Sequence, residues 1–131
     1  MEHRAKAPST KGPTETFTGD VWVDPIAPAS ATSPVNVAAV HFTPGARSAW
    51  HCHGNSGQTL YVTEGEGLVQ TRGEPIVEIR AGDSVYTPAD EWHWHGATPD
   101  HFMTHLSITD GVATWGEHVT DDEYHRPTTP R

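Results

Sequence analysis

Two pairs of histidines stand out in this sequence as residues that could bind a metal. They are His51-Cys52-His53 and His93-Trp94-His95, and both follow the pattern His-x-His. Side chains alternate between the faces of a β-strand, so the two histidines of each pair would point to the same side. Imidazole is a favoured ligand of borderline divalent metals. A single pair could be hydrogen-bonded core histidines, but two pairs in one small domain favour a metal site.

The elements that would position these pairs are predicted to be short β-strands. The chain has 12 glycines and 11 prolines among 131 residues, which favours many turns over long helices. Strands are predicted at 21–23, 35–42, 59–63, 68–72, 76–79, 84–87, 92–96 and 102–109, with turns such as Pro44-Gly45 and Gly65-Glu66-Gly67 between them. Short strands at this spacing predict an all-β sandwich or barrel. The only helix is expected within 110–125, beginning at Asp121-Asp122-Glu123.

A single domain is predicted for residues 1–131, because a chain of this length has room for one core. Residues 35–109 would form the barrel and residues 110–131 a C-terminal segment. Residues 1–16 are polar, and we expect them to form an N-terminal arm that a neighbouring subunit holds in place. A homodimer or homotetramer is therefore expected.

The composition excludes several classes of partner. There are 17 acidic and 8 basic residues, so the net charge of −9 argues against binding nucleic acid or anionic membranes. The apolar runs are too short to cross a bilayer, no secretory signal opens the chain, and the single cysteine excludes an internal disulfide. These features predict a cytoplasmic protein whose partner is a small molecule.

The spacing around the histidines resembles the two motifs of the cupin family. The first motif is Gly45-x5-His51-x-His53-x4-Gln58-x6-Gly65, and the second is Gly82-x5-Pro88-x4-His93. The resemblance implies a single-domain jelly-roll β-barrel that binds a divalent metal through His51, His53, Gln58 and His93. Cupins usually have glutamate at the Gln58 position, glycine at Asp90 and asparagine at Ala97. Four neutral ligands would leave the ion at formal charge +2, which makes it a stronger Lewis acid.

A closer resemblance covers almost the whole chain. The segments Gly57-Gln58-Thr59-Leu60, His93-Trp94-His95-Gly96-Ala97 and Glu117-His118-Val119-Thr120-Asp121 are similar to the small bacterial cupins that include manganese-dependent hydroxynitrile lyases. These enzymes reversibly split a cyanohydrin into an aldehyde or ketone and hydrogen cyanide. The resemblance implies a carbon–carbon lyase that uses Mn2+, with Fe2+, Zn2+ and Ni2+ as alternatives. The segment between His53 and Gln58 is one residue longer in this sequence than in those lyases.

Two other functions remain open at this stage. The same ligands with iron would leave coordination positions for oxygen and substrate, as in a cupin dioxygenase. A cupin that binds a small molecule without converting it is the third reading. Metal content and oxygen consumption would separate the two enzymes.

Further residues are assigned to the cavity by their position on the strands. His105 is predicted to face the cavity as the general base, which the resemblance supports, and His95 is predicted to assist it. Cys52 points away from the ligands, and no role is assigned to His41. The predicted walls of an apolar substrate pocket, which could equally be plain barrel filling, are Ala38, Val40, Phe42, Leu60 and Val62.

Overall fold

The computed structural model describes residues 1–130, which are almost entirely β-strand. One short helix, Asp121–Tyr124 (α1), is present in this range. In chain order, the strands are Thr10–Lys11 (β1), Phe17–Thr18 (β2), Val21–Ala27 (β3), Asn36–Phe42 (β4), Arg47–Ser48 (β5), His51–His53 (β6), Gln58–Thr71 (β7), Ile76–Arg80 (β8), Ser84–Thr87 (β9), His93–Ala97 (β10), Met103–Thr109 (β11), Ala113–Trp115 (β12) and Thr128–Thr129 (β13).

The strands form two facing sheets that share one long strand, β7. The first half of β7 pairs with β11 and β9, and β11 continues the sheet to β4, β3 and β1. We call this the front sheet. The second half of β7 pairs with β10 and β8, and the strands β2, β5, β6, β12 and β13 complete the back sheet. The result is the predicted all-β jelly-roll barrel.

The predicted turn at Gly65-Glu66-Gly67 is wrong, because β7 runs through it without a break. Gly65 has a φ of 80°, and a Cβ atom at this position would lie 1.9 Å from the carbonyl oxygen of Phe102. Only glycine tolerates both the positive φ and this close approach of backbone. The glycine therefore marks the bend at which β7 passes from the front sheet to the back sheet.

Two hydrophobic clusters hold the fold together, on opposite sides of the back sheet. The first lies between the sheets and includes Val21, Phe42, Val62 and Met103. The second lies on the outer side of the back sheet, where the C-terminal segment covers it. Its buried members are Trp50, Leu68, Ile76, Trp94, Val119 and Tyr124.

The C-terminal segment is fixed by its own helix start, at the predicted position. Thr120 caps α1, and its side chain and that of Glu123 exchange hydrogen bonds with each other's backbone N–H groups. The Tyr124 hydroxyl donates a hydrogen bond of 2.6 Å to the carbonyl of Ala97. Arg47 binds the Asp121 carboxylate at 2.8 Å. These contacts attach the helix to strands β5 and β10 of the back sheet.

Part of the N-terminal arm pairs with its own chain. Thr10 and Lys11 of β1 lie opposite Val23 and Trp22 of β3, so this part of the arm extends the front sheet. Residues 1–9 are almost all exposed. No helix within residues 1–130 is long and apolar enough to cross a membrane.

Candidate metal centre and active-site cavity

Three histidines converge inside the barrel from two neighbouring strands of the back sheet. His51 and His53 belong to β6, and His93 of β10 lies directly opposite His51 in the strand pairing. All three side chains are buried, and one ring nitrogen of each lies within 4.8 Å of the others. The two outer members of His51-Cys52-His53 point inward, as strand alternation predicts. The cluster could hold one metal ion.

Backbone carbonyl groups determine which nitrogen of two of these rings is free. His51 Nδ1 lies 2.8 Å from the carbonyl oxygen of Ala49, and His93 Nδ1 lies 2.9 Å from that of Glu91. A carbonyl oxygen only accepts hydrogen bonds, so the proton of each neutral ring is on Nδ1. The Nε2 lone pairs are therefore available to a metal, as in many metal sites where the second nitrogen is held by a carbonyl.

Gln58 adds a fourth possible ligand atom to the three histidines. Its amide nitrogen donates a hydrogen bond of 2.8 Å to the Ser107 hydroxyl, which leaves the oxygen Oε1 directed at the histidines. Oε1 lies 3.0 Å from His93 Nε2. Because the His93 proton is on Nδ1, this is a contact between two acceptors. A cation between the two atoms would satisfy both.

His53 supports the same conclusion. Its ring is buried, and neither ring nitrogen has a hydrogen-bond partner of good geometry among residues 1–130, although Gln58 is near enough to favour its protonated form slightly. Buried polar atoms are normally paired, so orphaned nitrogens here need an explanation. Three imidazoles and one amide oxygen are donors that fit a borderline divalent metal.

The electrostatics keep these rings ready for a metal at neutral pH. Burial, followed by the neighbouring His93, lowers the pKa of His51 well below its ordinary value and that of His53 to about 4. Burial also lowers the pKa of His93. The neutral rings need not lose a proton before they bind a cation at pH 7.

A second pair of histidines lies beside the cluster. His105 Nε2, on β11, is 2.9 Å from His95 Nδ1, on β10. Burial lowers the pKa of His105 to about 4 and that of His95 well below its ordinary value. Neither His95 Nε2 nor His105 Nδ1 has a hydrogen-bond partner in the described range, 1–130. Each neutral ring carries one proton, and one of these two protons lies in the hydrogen bond between His95 Nδ1 and His105 Nε2.

A cavity of about 270 Å³ opens onto these groups. His51, His53, Gln58 and His95 form its polar side, and Ser107, Thr109 and Asn36 add hydroxyl and amide groups. The remaining lining residues are Phe17, Val23, Ala38, Val40, Gly111, Ala113 and Trp115. A larger surface cavity of about 660 Å³ contains no histidine in its lining. The smaller cavity is the one that members of the buried histidine cluster line.

The structure separates the predicted pocket residues into two groups. Ala38 and Val40 line the cavity. Phe42, Leu60 and Val62 do not: their side chains are fully buried in the barrel, and Phe42 packs against the rings of His95 and His105. All five have the predicted inward direction, but these three lie too deep in the barrel to reach the cavity wall.

The same distinction applies to the two predicted catalytic histidines. His95 lines the cavity, whereas His105 is wholly buried and its ring lies 2.9 Å from that of His95, measured between Nε2 and Nδ1. His105 points into the barrel as predicted, but it lies behind His95 instead of on the cavity wall. The ring that reaches the cavity is therefore His95.

Sequence reasoning missed Trp115, which forms a wall of the cavity. Its ring lies 4.5 Å from that of His51, centroid to centroid, and β12 places Trp115 opposite His51 in the strand pairing. The segment 110–125 was considered only as the place for a helix. The apolar–polar–apolar order of Ala113-Thr114-Trp115 was a signal for a short strand that ends in an inward tryptophan.

Replacing Ser107 with alanine is expected to weaken metal binding about 10-fold, the usual effect of losing a group that orients a ligand. Without the hydroxyl, the Gln58 amide can rotate and direct either its oxygen or its nitrogen at the histidines. Ser107→Thr keeps the hydroxyl and should restore affinity. Metal titration by calorimetry measures the effect, with Ser84→Ala, an exposed serine, as the control. Unchanged affinity in Ser107→Ala would remove Ser107 from the site.

The buried His105 makes stability depend on pH. Its pKa is about 4 in the folded state and about 6.5 in the unfolded state, so the unfolded chain binds more protons as the pH falls. The contribution is fully present above pH 6.5 and is lost between pH 6.5 and 4, by at most about 3 kcal/mol. Urea unfolding of metal-free protein should therefore lose less stability with acid in His105→Gln than in wild type. His101→Ala, which removes an exposed histidine, should behave like wild type.

Comparison with known proteins agrees with the fold and the site. The pattern that defines the cupin domain matches residues 38–108, so the chain belongs to the cupin family. Over 122 residues, covering 90% of this chain and 92% of the relative, it is 50% identical to a protein of Granulicella tundricola named (R)-mandelonitrile lyase.

Solved structures show the same architecture. A cupin-like protein from Thermotoga maritima superposes with a TM-score of 0.87 at 40% identity, covering 91% of this chain and 92% of that one. A predicted oxalate decarboxylase from the same organism superposes with a TM-score of 0.71 at 21% identity, covering 79% and 92%. The second likeness supports only the fold.

Proposed function

We propose that this protein is a metal-dependent carbon–carbon lyase that reversibly cleaves a cyanohydrin to an aldehyde or ketone and hydrogen cyanide. The observation that carries the proposal is the convergence of three buried histidines and the Gln58 oxygen on one point, beside a neutral histidine pair that reaches the same cavity. The 50% identity to a protein named (R)-mandelonitrile lyase supports the substrate class.

The proposed metal site consists of His51, His53, Gln58 and His93, with Mn2+ as the proposed ion. Three neutral nitrogen ligands and one neutral oxygen ligand suit a borderline divalent cation. When bound, such an ion supplies Lewis-acid chemistry, and neutral ligands leave its charge undiminished for polarising a substrate group. The deeply lowered pKa values of His51 and His53 keep both rings neutral for this role.

His95 is the group placed to move the proton. When its Nδ1–H donates to His105 Nε2, the lone pair of His95 Nε2 has no partner among residues 1–130, and because His95 lines the cavity this lone pair can accept the hydroxyl proton of a cyanohydrin. The electron pair left on the oxygen then forms the carbonyl C=O bond while the bond between the hydroxyl carbon and the nitrile carbon breaks. Its electron pair leaves with cyanide, which takes the proton from His95 to form hydrogen cyanide. His105 acts through His95 by selecting the tautomer.

The cavity wall can orient the organic part of the substrate. Its apolar side is formed by Ala38, Val40, Phe17 and Trp115, and its volume of about 270 Å³ suits a small aromatic or aliphatic molecule. The polar groups of the lining include the ring nitrogens of the histidines and the Gln58 amide. A cyanohydrin would therefore bind with its hydroxyl and nitrile groups towards His95 and the ligand cluster.

The proposal is tested by following mandelonitrile cleavage together with metal content and oxygen uptake. Protein purified without chelator and loaded with Mn2+ should release benzaldehyde and cyanide at the same rate in air and under nitrogen. Turnover that requires oxygen and is supported by iron would instead identify a dioxygenase. Binding of mandelonitrile without release of cyanide would contradict the lyase proposal.

Gln58→Glu is expected to retain or tighten metal binding while lowering turnover. A carboxylate binds a cation more strongly than an amide and removes one unit of its formal charge, which weakens its action on the substrate. Elemental analysis and the cyanide-release rate measure the two effects on one preparation. Loss of metal in Gln58→Glu, with metal retained in His51→Ala, would show that the ligand assignment is wrong.

A further inference from the structure

A short loop joins two of the proposed metal ligands. It consists of Gly54-Asn55-Ser56-Gly57 and runs from His53, the last residue of β6, to Gln58, the first residue of β7. We call residues 54–57 the ligand loop. Its two middle residues are exposed, so packing restrains them little. The position of Gln58 relative to His53 therefore depends on the contacts that hold the ligand loop in one shape.

The ligand loop has a backbone conformation that its own sequence does not enforce. Asn55 has a φ of 53° and Gly57 a φ of 77°, both in the left-handed region. This region costs energy for a residue with a side chain, although asparagine tolerates it better than most. Glycine adopts it readily but leaves it as readily. The loop therefore needs contacts with other segments to keep this conformation.

Asp110 supplies two such contacts from the position that directly follows β11. Its carboxylate oxygen Oδ1 accepts a hydrogen bond of 2.9 Å from the backbone N–H of Ser56. Its carbonyl oxygen accepts a second hydrogen bond, also of 2.9 Å, from the side-chain amide of Asn55. The backbone N–H of Ser56, followed by the Ser56 hydroxyl, lowers the pKa of Asp110, so the carboxylate is charged at pH 7. Asp110 thus binds both middle residues of the ligand loop.

Strand β9 supports the other side of the ligand loop. The Tyr86 hydroxyl donates a hydrogen bond of 3.0 Å to the carbonyl oxygen of Ser56. A Cβ atom at Gly57 would lie 2.2 Å from the carbonyl oxygen of Thr87, so the end of the loop lies directly against the backbone of β9. The loop is therefore held between β9 and Asp110, and loss of either side would free it to move.

Strand β11 connects Asp110 to Gln58 itself. Thr109, the neighbour of Asp110, lies opposite Gln58 in the strand pairing. Ser107, on the same strand, accepts the hydrogen bond from the Gln58 amide nitrogen at 2.8 Å. Strand β11 thus orients the side chain of Gln58 through Ser107, while Asp110 restrains the backbone that leads to Gln58.

From these contacts we infer that Asp110 is a positioning residue of the metal centre, which holds the ligand loop so that the Gln58 oxygen meets the three histidines. Within residues 1–130, Asp110 is not part of the cavity lining, so it acts through the loop and not on a substrate. A ligand that is held loosely lowers the affinity of a metal site. The inference rests on the proposed ligands and does not depend on cyanohydrin cleavage.

Metal titration by calorimetry tests this role. Asp110→Ala should weaken binding of Zn2+ and Mn2+ about 10-fold, the lower end of the usual effect of losing a group outside the ligands, because its hydrogen bonds are exposed. Asp110→Asn keeps an oxygen that can accept the hydrogen bond from Ser56, and it should recover most of the affinity. Asp100→Ala, which removes an exposed aspartate between β10 and β11, is the matched control and should bind like wild type.

A double-mutant cycle distinguishes positioning of Gln58 from a general effect on the fold. In a Gln58→Ala background, Asp110→Ala should change the affinity by less than about 2-fold, because the ligand that Asp110 positions is gone. A general loss of structure would lower the affinity equally in both backgrounds. Zn2+ is the probe for the cycle, since it binds nitrogen ligands more tightly than Mn2+ and keeps the weaker sites measurable.

Far-ultraviolet circular dichroism identical to wild type shows that each variant is folded. If Asp110→Ala does not fold, Asn55→Gly decides, because glycine suits the positive φ but lacks the amide that binds Asp110. Its affinity should fall by about 3-fold or more, the effect of one hydrogen bond.

Unchanged affinity in the folded variant that decides, equal losses in the two backgrounds, or an equal loss in Asp100→Ala would each overturn the inference. Wild type that binds neither ion would overturn the metal site together with it. Normal metal binding without cyanide release would overturn the proposed lyase activity alone, and the role of Asp110 would stand or fall by the titrations.

Discussion

Replacing His51 with alanine is expected to abolish stoichiometric metal binding and to lower cyanohydrin cleavage by about 1,000-fold or more. The substitution removes one of only three imidazoles that converge on the site, and Lewis-acid stabilisation is worth several kcal/mol in the transition state. His93→Ala should have the same effect. Elemental analysis of purified protein, together with the rate of cyanide release, measures both consequences.

Cys52→Ala is the matched control for this experiment. Cys52 lies between two proposed ligands and is a potential metal ligand by type, but strand alternation directs it to the opposite face. Its substitution should leave metal content near wild type. A His51→Ala protein that still binds one metal ion per chain would show that the cluster is not the metal site.

The second large effect is expected at the histidine pair. His95→Ala removes the proposed base that lines the cavity, and His105→Ala removes the group proposed to select its tautomer. Each variant should keep its metal and lose about 100-fold in kcat, the scale of a lost general base, with a smaller change in KM. The double variant should be little slower than the slower single variant, because the two rings act as one unit.

The conservative substitution His105→Gln distinguishes a role of His105 in orienting His95 from a role in packing the barrel. The amide oxygen of His105→Gln can accept the hydrogen bond from His95 Nδ1, so this variant should recover part of the turnover that His105→Ala loses. Metal-loaded His95→Ala protein with a near-normal rate would remove the pair from the mechanism. Additive losses in the double variant would show that the two rings act independently.

Spacing and alternation in the sequence were enough to predict much of the interior. The inward direction of His51, His53 and His93 follows from the period of two along a strand, and Gln58 was found through its spacing in the cupin motif. The same alternation placed Cys52 on the opposite face, and Trp94, the middle residue of the second pair, lies in the second hydrophobic cluster.

Depth within the barrel could not be predicted in this way. Alternation gives the direction of a side chain but not its distance from the cavity mouth, so Val62 and Phe42 were grouped with Val40 although only Val40 reaches the cavity. His105 was placed on the cavity wall for the same reason. His95 lies between His105 and the cavity because of the way the two sheets pack, and local sequence does not determine this packing.

Backbone bends posed a related problem. Gly65-Glu66-Gly67 has the composition of a turn, but glycine also permits the close approach of another strand, as that of Phe102 to Gly65 shows. Local sequence does not distinguish the two uses. The position of Trp115 beside His51 was also not predicted, because the three-residue strand β12 is too short for its pattern to show that it pairs with β6.

The measurement that tests the account most directly is cyanide release from mandelonitrile by a single preparation in three states. The protein is assayed with Mn2+ bound, after removal of metal by a chelator, and after Mn2+ is added back, with circular dichroism recorded in each state. We predict cleavage in the first state, loss of at least about 1,000-fold in the second and recovery in the third, with the fold unchanged. Cleavage that persists at the same rate in folded, metal-free protein would contradict the central claim.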